Sequence, residues 1–260
     1  MHSRATEMAD KNWNDHPFVL RLSRYIDLGA TDIGHLRGLI ENELTIKKRR
    51  DLVVDGYEYR KLCFIENGYA ARYKLLRNGK RQIVNVMLPG DVVGLPGSFL
   101  ELAAYSVIAI TDLKIQVCSV DDYLKLCYQR PQFGLVLTWL QTEEAASYAE
   151  HLINIGRRSP VERLAHFLLE IHARKMTIGR ATAEGFDLPF SQEVMGDALG
   201  LSIPHLNRMF SQLRAEGLIE GNARRVEFID YKALQRFAHF QPMTLMRIPR
   251  FDQEALEPAE

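Results

Sequence analysis

The residues best suited to chemistry lie late in the chain, and the chemistry they suit is the reading of base-pair edges. Asn207 and Arg208 stand side by side in SQEVMGDALGLSIPHLNRMFSQLRAEG, residues 191–217. An asparagine amide can pair bidentately with adenine, and a guanidinium fork matches guanine O6 and N7 in the major groove. Ile203, Pro204, His205, Ser211 and Gln212 share their side of a helical repeat whose other side carries Leu206, Met209 and Leu213. With Ser191, Gln192 and Ser202 from the flanking turns, and Arg224 and Arg225 further on, they form the expected DNA-contacting set. Metal chemistry is disfavoured: a metal-dependent jelly roll uses inward histidines, and none occurs between Leu52 and Val120, the nearest being His35 and His151. The carboxylates offer no pair that the pattern places in one pocket, so an enzymatic reading finds no residues to carry it.

Two short helices joined by a tight turn would position these groups. Ser191 can cap the first. Met195 and Leu199 share a face, and Gly196 between them permits a second helix to approach. Gly200 falls at the turn, Leu201 returns to the core, Ser202 is a second N-cap, and Pro204 sits in a first helical turn where its missing N–H costs nothing. Any αα-hairpin would share this spacing, but the flanks favour a helix-turn-helix. GLIEGNARRVEFID reads as a strand at Leu218-Ile219, a turn at Gly221-Asn222 and a returning strand at 225–229. That is a β-wing carrying Arg224 and Arg225 at phosphate height.

The 260 residues include 33 Lys or Arg and 33 Asp or Glu, a formal net charge of zero, with 47% hydrophobic residues. A DNA binder of this composition must cluster its basic residues, because counterion release is local. No apolar run could span a bilayer and no signal peptide is seen, so no membrane partner is expected. Cys63, Cys118 and Cys127 are odd in number and widely spaced, which suggests a reducing cytoplasm and no disulfide framework, with Cys63 and Cys118 read as buried strand cysteines rather than a redox thiol. The stretch 1–16 is polar and aperiodic and is expected to be disordered. Residues 17–45 look helical, with Leu36, Leu39 and Ile40 on one face and Thr31-Asp32 able to cap the start. The basic run Lys47–Arg50 reads as a solvated face. From Leu52 to Val120 the pattern has period two: Tyr69, Ala71, Tyr73 and Leu75 alternate with Arg72 and Lys74, and Asn78-Gly79 marks a hairpin. Regular turn signals imply a β-sandwich or barrel. After a short helical piece at Asp121–Cys127, Pro131 opens a long helix to about Ile155. Its stripe of Leu137, Leu140, Tyr148, Leu152 and Ile155 suggests a dimer seam. Gly156-Arg157-Arg158 forms a hinge, and Ser159-Pro160-Val161-Glu162 is a capping box opening another helix. Residues 176–188 read as a linker.

In this order the chain resembles the cyclic-AMP receptor protein and fumarate-nitrate regulator (Crp-Fnr) superfamily of bacterial transcription factors. The resemblance rests on Gly90-Asp91-Val92-Val93-Gly94, on GRRSPVERLAHFLLEI at the hinge and on LGLSIPHLNRMFSQLRAEGLI, and it spans about Phe18–Phe240. It implies an α+β fold: a cyclic-nucleotide-binding-like β-roll (a double-stranded β-helix) over 17–130, a dimerisation helix over 131–156 and a winged helix-turn-helix over 157–240; the last twenty residues, 241–260, carry three prolines and read as a flexible tail. It further implies a homodimer that binds double-stranded DNA at a two-fold-symmetric promoter site and works with RNA polymerase. The expected effector pocket lies at Gly94, Leu95, Tyr105 and Ser106, yet two positions depart from the family. Where cyclic-nucleotide binders carry a glutamate for the ribose, this chain has Leu95. Where they carry an Arg-Ser for the phosphate, it has Ala104-Tyr105-Ser106. A cyclic phosphate buried without a cation would be costly. The clustered N-terminal cysteines of the iron–sulfur oxygen sensors are also missing, so no cofactor is expected and any small-molecule effector is an unknown one. In the recognition helix Pro204 stands where the family commonly has a cytosine-reading glutamate, while the guanine-reading arginine is kept as Arg208. Two other readings stay open: a regulator controlled by its own abundance with a vestigial roll, and a signal-binding module acting through a protein partner.

Overall fold

Period-two and period-3.6 segments alternate along the chain, and the structure, a computed structural model, describes residues 13–95 and 97–242. Eight strands build the roll: β1 (Asn42–Ile46), β2 (Asp51–Val53), β3 (Lys61–Asn67), β4 (Ala70–Leu75), β5 (Arg81–Met87), β6 (Val92–Val93), β7 (Ser106–Ala109) and β8 (Leu113–Ser119). They form two antiparallel sheets, ordered β1-β8-β3-β6 and β2-β7-β4-β5. The pleat sends alternate residues to opposite faces. On β3, Cys63 and Ile65 point into the roll with Val107, Leu113 and Val117, while Leu62 and Phe64 join the helices outside.

The N-terminal segment departs from expectation. Trp13, within the stretch expected to be disordered, is buried and stacks on His16 with ring centroids 4.8 Å apart; residues 1–12 lie outside the described residues. The region 17–45 is not one helix but α1 (Pro17–Leu22), α2 (Ala30–Gly38) and β1. Gly29 is the N-cap of α2, and Asp32 supplies the return bond to its backbone at 3.1 Å. The basic run Lys47–Arg50 is exposed, and Lys47 pairs with Asp112 at 2.8 Å.

Helix α3 (Val120–Gln129) leads into α4 (Pro131–Arg157), the long helix. Here the expected seam is corrected. Leu140 is buried and Leu137 partly buried in the protomer's own core with Phe18, Tyr123 and Phe133, and the Tyr148 hydroxyl meets Arg72 of β4. Leu152 and Ile155 alone of the expected stripe are exposed, Leu152 at 72%. The outward face instead runs through Thr138, Thr142, Ala145, Ala149, Leu152 and Gly156. That spacing alternates four and three, the period of a coiled-coil seam. The apolar stripe was real, but it serves the roll, and small residues face outward.

Helix α5 (Pro160–Met176) begins at the expected capping box: Ser159 Oγ accepts from the Glu162 N–H, and Glu162 accepts from the Ser159 N–H at 2.8 Å. Then follow β9 (Gly185–Asp187), α6 (Gln192–Leu199), α7 (Ile203–Ala215), β10 (Ile219–Gly221), β11 (Arg225–Phe228) and α8 (Tyr231–Phe237). The supposed linker 176–188 therefore contains a strand, β9, which pairs with β11 and makes the wing three-stranded. Its brevity hid it from any periodicity. Of the expected tail, residues 243–260 lie outside the described residues. One apolar cluster joins Leu164, Leu168, Met195, Leu206, Phe210 and Leu213 to Tyr69, Ala71 and Ile83 on the outer face of β4 and β5. Ser159→Ala should remove one side of the capping box and lower stability by about 1 kcal/mol. Chemical denaturation should show this as a lower midpoint with an unchanged slope.

Candidate functional site

The helix-turn-helix is set by its glycines. Gly200 ends α6 in the left-handed region at φ +66°, which glycine adopts without steric cost. A Cβ on Gly196 would lie 2.6 Å from the Leu201 carbonyl oxygen, so the turn closes only over a bare backbone. Leu206, Phe210 and Leu213 are buried beneath α7, and the expected inward residue Met209 is only half-buried. The inward face therefore turns slightly towards Phe210, and the outward face keeps its members. Ser202, Ile203, Asn207, Arg208, Ser211 and Gln212 are exposed, with His205 half-buried among them. Ser191 caps α6 by accepting from the Val194 N–H at 3.3 Å. Ser202 occupies the N-cap position of α7 but makes no side-chain capping bond, which corrects its expected role there.

The contact set is not uniform. Among the described residues, Arg208 makes no side-chain hydrogen bond or ion pair, and neither does the Arg224 guanidinium. Arg225 differs: it is held by Asp187 at 3.1 Å and Glu227 at 2.8 Å. Gln192 donates to Asn207 at 2.6 Å, so these two amides act as a pair across α6 and α7. Ser211 accepts from Arg214, which also reaches the Gly221 carbonyl at 3.3 Å and ties α7 to the wing. Gln212 bonds Glu216 at 2.9 Å. Reading the sequence missed Arg214 because its position on α7 carries no signal beyond charge.

Several ties fix this unit to the rest of the chain. Arg163 donates to the carbonyls of Asn154 (3.0 Å), Ile155 (3.1 Å) and Leu199 (2.6 Å). One guanidinium thus satisfies the C-terminal ends of both α4 and α6. Arg81 of β5 pairs with Asp197 of α6 at 2.5 Å. Asp91 receives Arg21 of α1 at 2.5 Å and also Arg174 of α5. Where α4 gives way to α5, burial and the neighbouring Arg158 push the His166 imidazole down to about 4, against the attraction of Glu150. It is neutral at physiological pH.

The expected effector pocket is partly assembled. Tyr105 donates to the Leu95 carbonyl at 2.7 Å and accepts from the Gly97 N–H at 3.2 Å. Gly94 is buried beside them, its carbonyl accepting from the Ser98 N–H at 2.6 Å. Ser106 is not part of the group: its hydroxyl accepts from the Asp55 N–H at 3.0 Å. The missing arginine is supplied from elsewhere. Arg72 of β4 lies 1% exposed, its guanidinium 4.2 Å from the Tyr105 ring and bonded to the Leu95 carbonyl, Glu144 and Tyr148. The strand alternation placed Arg72 on the face opposite Tyr69 and Ala71, which is correct. It gave no warning that the face of Arg72 is the inner one. Among the cysteines, burial pushes the Cys63 thiol up to about 11 and Cys118 up to about 12, so neither carries thiolate at neutral pH.

The comparisons agree with this geometry. A family model described as the Crp-like helix-turn-helix domain matches residues 162–237, and one described as the cyclic nucleotide-binding domain matches 43–130. The transcriptional activatory protein AadR of Rhodopseudomonas palustris is 32% identical over 174 residues, 66% of this chain and 70% of that protein. The nitrogen fixation regulation protein FixK of Bradyrhizobium diazoefficiens is 31% identical over 176 residues, 67% of this chain and 70% of that protein. The structure of FixK2 from Bradyrhizobium japonicum superposes with a TM-score of 0.69 at 27% identity, covering 75% of this chain and 96% of that one. The fold and site define a transcription regulator that reads DNA through a helix-turn-helix. The chain belongs to the Crp-Fnr superfamily, and its relatives are regulators rather than enzymes. Among the described residues no helix is long and apolar enough to cross a membrane.

With Glu144 and Tyr148 already on the guanidinium, a cyclic phosphate would have to displace an internal carboxylate to find its cation. Calorimetry with millimolar cyclic AMP or cyclic GMP should show no heat of specific binding. A micromolar dissociation constant for either would contradict this account of the roll.

Proposed function

We propose that the protein is a cytoplasmic homodimer that binds a near-palindromic promoter site, takes no cyclic nucleotide in its roll, and regulates transcription with RNA polymerase. The observation that carries this reading is the guanidinium of Arg208, without a partner among the described residues, on the exposed face of a helix whose opposite face buries Leu206, Phe210 and Leu213. An unpartnered arginine there is available to guanine, and its planar fork suits O6 and N7. Asn207 beside it is oriented by Gln192. Arg224 is free to meet a phosphate, whereas Arg225 must first leave two carboxylates. The outward face of α4 supports the dimer: Thr138, Thr142, Ala145, Ala149, Leu152 and Gly156 would let two long helices approach closely, with Leu152 and its exposed neighbour Ile153 as the apolar anchors. A two-fold dimer sets two recognition helices about one DNA turn, roughly ten base pairs, apart.

Binding to a library of half-site variants at two salt concentrations tests the contacts. Arg208→Ala should relax the preference at one symmetric base pair and cost about 1–3 kcal/mol per half-site. Arg224→Ala should weaken all sequences alike and reduce the salt slope by about one unit. Equal weakening at every base by Arg208→Ala would make Arg208 a backbone contact and overturn the assignment.

Sedimentation tests the seam. Leu152→Glu should give a folded monomer with weak DNA binding, whereas Leu140→Glu should unfold the protein because Leu140 lies in the core. A wild-type protein that sediments as a monomer would defeat the dimer.

A further inference from the structure

Arg72 is the largest of the fully buried side chains. Its guanidinium sits between the roll and the long helix. One terminal nitrogen serves Glu144 and Tyr148, both on α4, and the other serves the Leu95 carbonyl in the loop after β6. The Tyr105 ring covers its face at 4.2 Å. Burial works against the charge, but Glu144 and the two phenol oxygens outweigh it, and the guanidinium is held protonated. Its Nε has no partner among the described residues. The group thus spans strand, loop and helix as a bound cation would, and α4 contributes the charge that binds it.

The contacts continue beyond Glu144. Asn85 of β5 donates to the same carboxylate at 3.4 Å, and Asn85 accepts from Arg174 of α5 at 3.4 Å. Arg174 also bonds Asp91, which holds Arg21, and Arg21 returns to Glu143 of α4 at 3.0 Å. A cavity of 110 Å³ opens at this junction, lined by Leu95, Asn85, Glu144 and Arg174 among others.

We propose that Arg72 is a built-in effector: it is a positioning residue whose guanidinium clamps α4 to the roll and, through Glu144, Asn85 and Arg174, sets the DNA-binding unit in place with no added ligand. The inference rests on the reading that the roll takes no cyclic nucleotide, and it fails separately, because its test adds no nucleotide. A clamp made of one side chain should be replaceable by the same chemistry in solution. Deleting it should turn an effector-independent regulator into one that needs a small guanidinium.

The experiment measures binding to a DNA duplex that the wild-type protein selects from a random library, by fluorescence anisotropy. Wild type dialysed free of small molecules should bind at full affinity. Arg72→Ala should remain a dimer by sedimentation and lose at least tenfold in affinity. Millimolar ethylguanidinium should restore most of the loss in Arg72→Ala, with no effect on wild type and none in Arg72→Ala/Glu144→Gln. Ethylammonium at the same ionic strength should not rescue. Should Arg72→Ala fail to fold, Tyr148→Phe and Asn85→Ala each cut one link, and each should weaken binding severalfold at an unchanged melting temperature. Full affinity in Arg72→Ala would overturn the proposal. So would a loss that ethylguanidinium cannot repair, or link variants that bind like wild type.

Discussion

A charge taken out of water must find its counter-charge inside the fold, and Arg72 imposes that constraint on this molecule. Removing either partner of a buried pair leaves the other uncompensated, which typically costs about 3–5 kcal/mol. Glu144 must therefore stay opposite β4, and α4 must stay against the roll at that level. A one-turn slide of α4 would move Glu144 by about 5.4 Å, beyond reach of the guanidinium. The long helix is held in register by electrostatics at Glu144 and Tyr148, and by packing at Leu140, Val136 and Phe133. The two devices act on the same face, which is why the apolar stripe of α4 turns inward and its small residues outward.

The second constraint is apolar. The outer face of β4 and β5 carries Tyr69, Ala71 and Ile83, side chains that water would penalise. The DNA-binding unit covers them with Phe167, Phe190, Met195 and Leu199, and Tyr69 meets Phe190 edge-to-face at 5.2 Å. The roll and the reading head therefore share one core cluster instead of facing each other across a wet gap. Arg81–Asp197 and Arg174–Asp91 lie at the border of this cluster. Their hydrogen-bond geometry fixes orientation more than it adds energy, since partly exposed ion pairs are worth little.

Much of this was legible from the sequence, and the failures share a cause. Local signals survived intact: Gly196 and Gly200 at the turn, Ser159 and Glu162 at the capping box, and Gly221-Asn222 at the wing act within a few residues of themselves. Alternation along β4 was also legible, yet alternation says only that two faces differ. It cannot say which is inner when both are covered, and here the apolar face meets the DNA-binding unit while Arg72 points into the roll. A shift in strand register at Arg72/Tyr73 adds a bulge, a feature that re-aims side chains and leaves no periodic trace. The stripe on α4 failed in the same way: Leu137, Leu140 and Tyr148 were rightly grouped, but a helix that packs on its own roll and offers a second face outward has two candidate seams. Strand β9 was missed because three residues carry no period. The departures at Leu95 and Tyr105 were legible as residue types, whereas a partner for Glu144 brought from 72 positions away required the fold.

The zero net charge takes its meaning from the same pairing. Arg21, Arg72, Arg81, Arg174 and Arg225 are matched with carboxylates, so their fields are largely cancelled at short range. At physiological ionic strength the Debye length is about 8 Å, and a distant acidic residue hardly weakens a free arginine on the reading face. Arg208 and Arg224 therefore present local positive charge that the total of 33 against 33 conceals. Structural arginines absorb many of the acidic residues, while Arg208 and Arg224 have no carboxylate partner among the described residues. For a neutral protein that binds DNA, affinity depends on which arginines remain unpaired rather than on how many there are.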